Sequence, residues 1–282
     1  MHGFDLPAAQ KKISIWRGSS SPLIEWVARS GYAARGLVFT IVGFFALLTA
    51  SGLRHRAPDP HDSFRALVEQ PFGAVLLFVL AGGLLCFALW RLIQAIANPD
   101  QYKPDIEGVG RRGAYFLSGL LYICFAGVAV TVALGWDTSD TGEHATRAWT
   151  AWLLGKSFGR WLVGLIGFGF VATGVGIAIV GCRAEFMKRL QLDERKRNVV
   201  GLFAGLGYVV RGAVFAIVGV FLAFAALNSA SREAKGFAGA LYVIQRQEFG
   251  ALLLALTALG FIAFGLYGFT QAIYRRVPAL PP

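Results

Sequence analysis

Six stretches of the chain, 33–51, 72–97, 113–134, 158–182, 202–227 and 249–274, run apolar without a carboxylate or a histidine. Each has roughly the 20 residues that a helix needs to cross a hydrocarbon core. Their apolar positions are continuous rather than alternating, and a backbone in lipid must close its hydrogen bonds within itself. The pattern predicts six transmembrane α-helices and an all-α polytopic membrane protein. Pro58, Pro60 and Pro71 punctuate the first connection, Pro99 and Pro104 the second, and the Asp/Thr/Gly-rich stretch 137–143 opens the third. Mixed segments at 64–68, 148–154 and 237–243 have the character of short amphipathic helices lying on the membrane surface.

The odd-numbered spans resemble one another. Gly31-Tyr-Ala-Ala-Arg-Gly-Leu-Val-Phe39, Gly108-Val-Gly-Arg-Arg-Gly-Ala-Tyr-Phe116 and Gly207-Tyr-Val-Val-Arg-Gly-Ala-Val-Phe215 share Gly, Arg, Gly and Phe at the same offsets. The even-numbered spans each open on Phe-Gly, at Phe72, Phe158 and Phe249, with a further glycine at Gly83, Gly169 and Gly260. The chain therefore divides into a cytoplasmic N-terminal segment 1–22 and three helical hairpins, 23–100, 101–190 and 191–282, the last carrying a short tail. Each unit crosses twice, so the copies are parallel and a pseudo-threefold axis along the membrane normal is expected. Copies one and three share Trp/Tyr-x-x-x-Gln-Ala-Ile from Trp90 and Tyr267, whereas copy two has Val180 where Gln94 and Gln271 stand.

With Gly-Tyr-x-x-Arg-Gly entering one helix and Phe-Gly opening the next, the chain resembles the bacterial membrane family known as domain of unknown function 1206, whose unit typically occurs in three tandem copies. The likeness runs from Trp26 onward, with Val109 in place of the motif tyrosine in copy two. It implies a six-helix integral membrane protein of bacteria and no particular activity.

Charge orients this architecture. Of 27 Lys and Arg, 18 fall on the side of the two termini and 9 on the other, while the 16 Asp and Glu divide evenly. The positive-inside rule places both termini in the cytoplasm, and with the bacterial family that the chain resembles this implies the inner membrane of a bacterium. Trp136, Trp149, Trp152 and Trp161 mark the outer boundary. The net charge of +11 belongs to loops flanking spans, not to a soluble fold, so nucleic acid is not an expected partner. Cys86, Cys124 and Cys182 lie within apolar runs with no CxxC spacing, and neither a disulfide framework nor a metal site is expected.

The candidate chemistry is sparse. Arg35, Arg112 and Arg211 sit near the cytoplasmic ends of their helices, where a charge needs a partner. Gln94 and Gln271 occur at matching depth on the return helices. The first reading is snorkelling, each guanidinium reaching phosphate headgroups or helix-terminal carbonyls; the sharper alternative is a pair of polar clasps, Arg35 with Gln94 and Arg211 with Gln271, that lock the first and third hairpins and offer a guanidinium fork to anionic lipid headgroups. Gly167, Gly174 and Gly181, seven apart, leave one face of the fourth span bare for close helix packing. Proton relays and haem sites draw on intramembrane carboxylates or histidines, and the spans hold neither; HExxH, Walker A and GxSxG motifs are absent from the sequence. The expectation is a non-enzymatic scaffold or accessory subunit with no cofactor, the alternative a passive channel or carrier for a small solute or lipid. A membrane enzyme acting on lipid or quinone ranks last, for want of a general base in the spans.

Overall fold

A computed structural model describes residues 21–53, 60–136, 143–184, 186–187, 190 and 194–278. Segment 1–20 and the basic side chains Lys188, Arg189, Arg195 and Lys196 lie outside the described residues. The helices are α1 (Pro22–Ala50), α2 (Pro60–Val68), α3 (Gly73–Ile96), α4 (Ile106–Ala133), α5 (Glu143–Leu154), α6 (Gly159–Arg183), α7 (Glu194–Leu227), α8 (Phe237–Gln245) and α9 (Gly250–Tyr274). The six long ones, α1, α3, α4, α6, α7 and α9, are apolar and long enough to cross a membrane. Among the described residues the only strand-like pairing is a single bridge between Leu190 and Arg275. The chain is an all-α, multi-pass membrane protein.

α1, α4 and α7 begin before the apolar runs that announce them, because their first turns are polar. Glu25 pairs with Arg29 at 2.6 Å and Glu107 with Arg111 at 2.7 Å, both one turn apart. Asp105 caps α4 by accepting from the Gly108 amide at 2.7 Å.

Each copy repeats one layout: long helix, short helix, tight turn, long helix. The turn explains Phe-Gly. The amides of Gly73, Gly159 and Gly250 donate to the carbonyls of Gln70, Lys156 and Gln247, each at 2.8 Å. A Cβ on any of these three glycines would collide with a carbonyl closing the preceding short helix, that of Leu67, Leu153 or Gln245. The short helices differ in what they cover. α2 seals Phe64 into the core and α8 seals Ala240 and Leu241, while α5 keeps Trp149 and Trp152 exposed.

Around the bundle the helices follow the order α4, α3, α1, α9, α7, α6. The most extensive contacts join different copies: α6 with α7, α9 with α1, and α3 with α4. Every one of these seams sets the return helix of one copy against the lead helix of another. Within copies, α1 packs on α3 and α7 on α9, but among the described residues α4 and α6 barely touch. The three hairpins thus form an arc, open at the second.

The seams are built from small residues. Gly167, Gly174 and Gly181 face Gly219, Gly212 and Gly205 of α7, a second stripe also spaced by sevens. A Cβ on Gly174 would stand 2.5 Å from the Gly212 carbonyl, and one on Gly212 would stand 2.5 Å from the Gly174 carbonyl. Backbone meets backbone, which is how helices associate where lipid removes the hydrophobic drive. Between α1 and α9 the contacts are Gly36 with Gly265 and Gly43 with Ala258. Between α3 and α4, Gly119 approaches the Ala88 carbonyl and the Leu92 side chain.

Candidate functional site

The aromatic and basic groups of the repeat converge inside the arc, in a register that the seams define. Gly36, Gly119 and Gly212 each face a return helix of another copy. Counting from them, Tyr32, Arg35 and Phe39 on α1 correspond to Tyr208, Arg211 and Phe215 on α7, and to Tyr115, Ser118 and Tyr122 on α4. Arg112 is therefore not the counterpart of Arg35 and Arg211, and Val109 does not replace the motif tyrosine. Arg112 instead matches Arg29. Arg112 donates from Nε to the Ala95 carbonyl at 2.8 Å and from Nη2 to that of Ile96 at 3.1 Å, while Arg29 donates to the equivalent carbonyls of Ala272 and Ile273. Both arginines cap the end of a return helix, where free carbonyls and the negative end of the helix dipole favour a cation. Beside Arg112 a groove of about 520 Å³ runs over the outside of α3 and α4, lined by Ala95, Ile96, Val109, Gly113 and Phe116.

Arg35 is 2% exposed. Its Nη2 donates to Gln271 Oε1, and its guanidinium lies 4.9 Å from the ring centres of Phe87 and Phe264 and 5.5 Å from that of Tyr32. Arg211 is half-buried and, among the described residues, held by rings: Phe264 at 4.9 Å, Phe215 at 5.1 Å and Phe39 at 5.3 Å. A third arginine joins them from α3. Arg91 lies over Phe87 and Tyr115 at 4.9 and 4.8 Å and donates to Gln94 Oε1 at 3.1 Å. Cation–π contacts of this kind contribute about 2 kcal/mol when desolvated. They temper the burial of the charges without neutralising them.

The two clasps expected within hairpins are not formed. Gln271 serves Arg35, not Arg211, and Gln94 accepts from Arg91 and donates to Asp100 Oδ2 at 2.9 Å. The cause lies in the seams: Gly36, Gly265 and Gly268 let α9 approach α1 more closely than it approaches α7, so the side chain at its last turn crosses to the neighbouring copy.

Hairpins one and three are closed by matching contacts. In hairpin one, a Cβ on Gly31 would stand 2.5 Å from the Phe87 backbone, and Trp90 Nε1 donates to the Tyr32 hydroxyl at 2.8 Å. In hairpin three, a Cβ on Gly207 would likewise stand 2.7 Å from the Phe264 backbone, and the Tyr208 and Tyr267 rings meet at 5.5 Å. Hairpin two has Ala114, Thr173 and Gly176 at the places of Gly31, Phe87 and Trp90, and all three are exposed. A Cβ on Gly176 would meet nothing within 4 Å, and the same holds for Gly169, whose counterparts Gly83 and Gly260 pack on Ala34 and Val210. Arg91, Arg211 and Tyr115, on the helices around this hairpin, are half-buried.

At the end where α1 begins and α9 finishes, the arc has a floor. Phe186, 5% exposed, stacks on Tyr208 at 4.9 Å and meets Tyr267 at 5.1 Å, beside the buried Met187. Arg275, 6% exposed, lies 4.8 Å over the Tyr32 ring. Burial is the largest single influence and works against its charge, but Tyr32, Asp100, Tyr267 and Tyr115 together outweigh it and hold its pKa above the ordinary arginine value. Sequence reasoning missed Arg29, Arg91, Asp100 and Arg275. Arg91 stood inside the shared Trp90-to-Gln94 motif, but Gly268 occupies the matching place in copy three, and comparing copies conceals what only one of them has.

A family model described as Domain of Unknown Function (DUF1206) matches the chain three times, over residues 30–98, 113–184 and 206–275. Tyr32, Tyr115 and Tyr208 are each third in their segment, and Arg35, Ser118 and Arg211 each sixth, which is the register of the seams. A protein of Bacillus subtilis (strain 168), the uncharacterized protein YxxB, is 31% identical over 261 residues, covering 92% of this chain and 94% of that one. No solved structure matches. The chain belongs to the DUF1206 family, with three tandem copies of that family's unit.

Proposed function

We propose that this is a non-enzymatic protein of the bacterial inner membrane, with both termini in the cytoplasm, that takes a membrane lipid sideways into its arginine-lined interior and so acts as a carrier or receptor. The observation that carries this is the splayed second hairpin. Two hairpins are sealed by glycine-to-backbone contacts, while α4 and α6 stand apart beside half-buried Arg91 and Arg211. A channel for a dissolved solute would need a way out through the floor, where Phe186, Met187 and Arg275 are packed. The tight glycine seam between α6 and α7 supports the rival role of scaffold, since it builds a rigid wall whatever lies inside.

The test is to extract the protein with its surrounding bilayer in polymer-bounded discs and compare its lipids with those of the whole membrane. One lipid class retained in near-stoichiometric amount through a detergent wash is the expected result. A retained set with the composition of the bulk membrane would leave the scaffold.

A further inference from the structure

Given lateral entry from the bilayer, on which this step rests, we infer that the interior of the arc is a headgroup site for a phosphate-bearing amphiphile. Arg91 and Arg211 grip the phosphate, the sealed Arg35 supplies a third positive charge, and the acyl chains leave between α4 and α6.

Three guanidiniums from three helices share this interior. Arg35 and Arg211 each feel the repulsion of Arg91, Arg211 also feels that of Arg35, and the tyrosines Tyr32, Tyr122, Tyr208 and Tyr267 lie within electrostatic range of one or both. The Nε atoms of Arg35, Arg91 and Arg211 are buried without a hydrogen-bond acceptor. Asp100, the carboxylate at this level, is tied to Gln94 and lies beside Arg275. Like charges gathered in a low-dielectric site are costly unless an anion joins them. The planar fork of arginine matches the oxygens of a phosphate, which can answer more than one guanidinium, whereas a carboxylate brings a single charge to three cations.

The shape of the site favours an amphiphile over a free anion. Its floor is packed with Phe186 and Met187, so the open side faces lipid. Along that side α6 is bare at Gly169 and Gly176, positions whose equivalents in the other copies press against the lead helix. A hydrocarbon chain lying there would fill the space that Trp90 and Tyr267 fill in the closed hairpins.

The test uses the full chain in discs of dioleoylphosphatidylcholine, titrated with dioleoylphosphatidic acid and read by native mass spectrometry. Phosphatidic acid is expected to be retained over phosphatidylcholine, with Arg91→Gln and Arg211→Gln each weakening it about tenfold, the worth of one charge-assisted contact. Arg211→Lys keeps the charge but loses the fork and should fall between. Arg112→Gln, outside the arc, should change nothing. Unchanged retention in both glutamine variants would overturn the site, and so would full displacement by millimolar inorganic phosphate, which would mark a pocket for the free anion. A phosphatidylcholine with a photoreactive chain separates this from lateral entry. If it labels α4 and α6 while the glutamine variants are silent, lipid entry stands and the phosphate site falls. If it labels neither helix, both fall.

Discussion

Hairpins one and two are built from the same unit, yet one is shut and the other open, and the difference comes down to a few side chains. Hairpin one has Gly31 against the Phe87 backbone and the Trp90 indole bonded to Tyr32. Hairpin two keeps the tyrosine, as Tyr115, but offers it Gly176 in place of an indole and Ala114 in place of the glycine that admits close approach. It has also exchanged the arginine for Ser118 and the glutamine for Val180. Copy two has lost the contacts that close it within itself and kept the seams to its neighbours. Its wall is held from outside by α3 and α7, so the gap can exist without loss of the fold.

The largest expected effect tests whether those outer seams bear the load. Gly174→Leu places a side chain where the Gly212 carbonyl and the Ala216 amide already stand within 2.7 Å. No rotamer escapes a backbone, and the variant should fail to give a monodisperse species in size-exclusion chromatography. Gly176→Leu, on the open side of the same helix, should purify normally with stability changed by less than about 0.5 kcal/mol. Equal failure of both would mean that α6 is packed on both faces and that hairpin two is not open.

Next in size is the mirror pair in the lead helices. Gly31→Ala puts a Cβ 2.5 Å from the Phe87 Cα and should cost about 1–3 kcal/mol in reversible denaturation, the usual range for overpacking. Ala114→Leu, at the same place in copy two, should be nearly neutral. A large loss for Ala114→Leu would show that the gap is narrower than a leucine side chain.

Much of this arrangement was legible in the sequence, for reasons that also mark where legibility stopped. The spans and Phe-Gly turns were visible because they answer local demands: length against lipid, and room beside the carbonyl that ends a short helix. The bare stripe of Gly167, Gly174 and Gly181 was visible because missing side chains announce themselves. Its partners Gly205, Gly212 and Gly219 were not singled out, since a stripe does not name the helix it faces. Arg112 was misassigned because Gly108 to Phe116 imitates the motif over one short window. Six residues separate Arg112 from Ser118, which is not a whole number of turns at about 3.6 residues per turn, so Arg112 points to a different face. The partner of Gln271 depended on which neighbour α9 approaches most closely, a property of the assembled bundle.

Closing the gap by design should move lipid binding more than stability. Thr173→Phe with Gly176→Tyr restores to α6 the aromatic pair that copy three carries as Phe264 and Tyr267. The expected outcome is a thermal midpoint equal to or above that of the parent, because a new ring contact with Tyr115 adds about 0.5–1.5 kcal/mol. Retained lipid should fall sharply in the same preparation. Undiminished lipid in a stable double variant would place the entrance elsewhere.

The finest contrast separates the closed and open tyrosines, by a single hydroxyl. Tyr32 is fully buried and its hydroxyl accepts from Trp90 Nε1, itself fully buried. Tyr32→Phe keeps the ring against Phe87 and beneath Arg275, and removes only the acceptor. A sealed indole N–H is then left unpaired, at a cost of about 1–3 kcal/mol. Tyr115 is half-buried and shares a hydrogen bond with the Tyr102 hydroxyl at 3.0 Å. With water or a lipid oxygen able to replace the lost group, Tyr115→Phe should cost no more than about 0.5 kcal/mol. Matched thermal melts of the two variants decide the point. A Tyr115→Phe loss as large as that of Tyr32→Phe would mean that hairpin two holds its tyrosine as tightly as hairpin one, and the contrast between them would reduce to sequence alone.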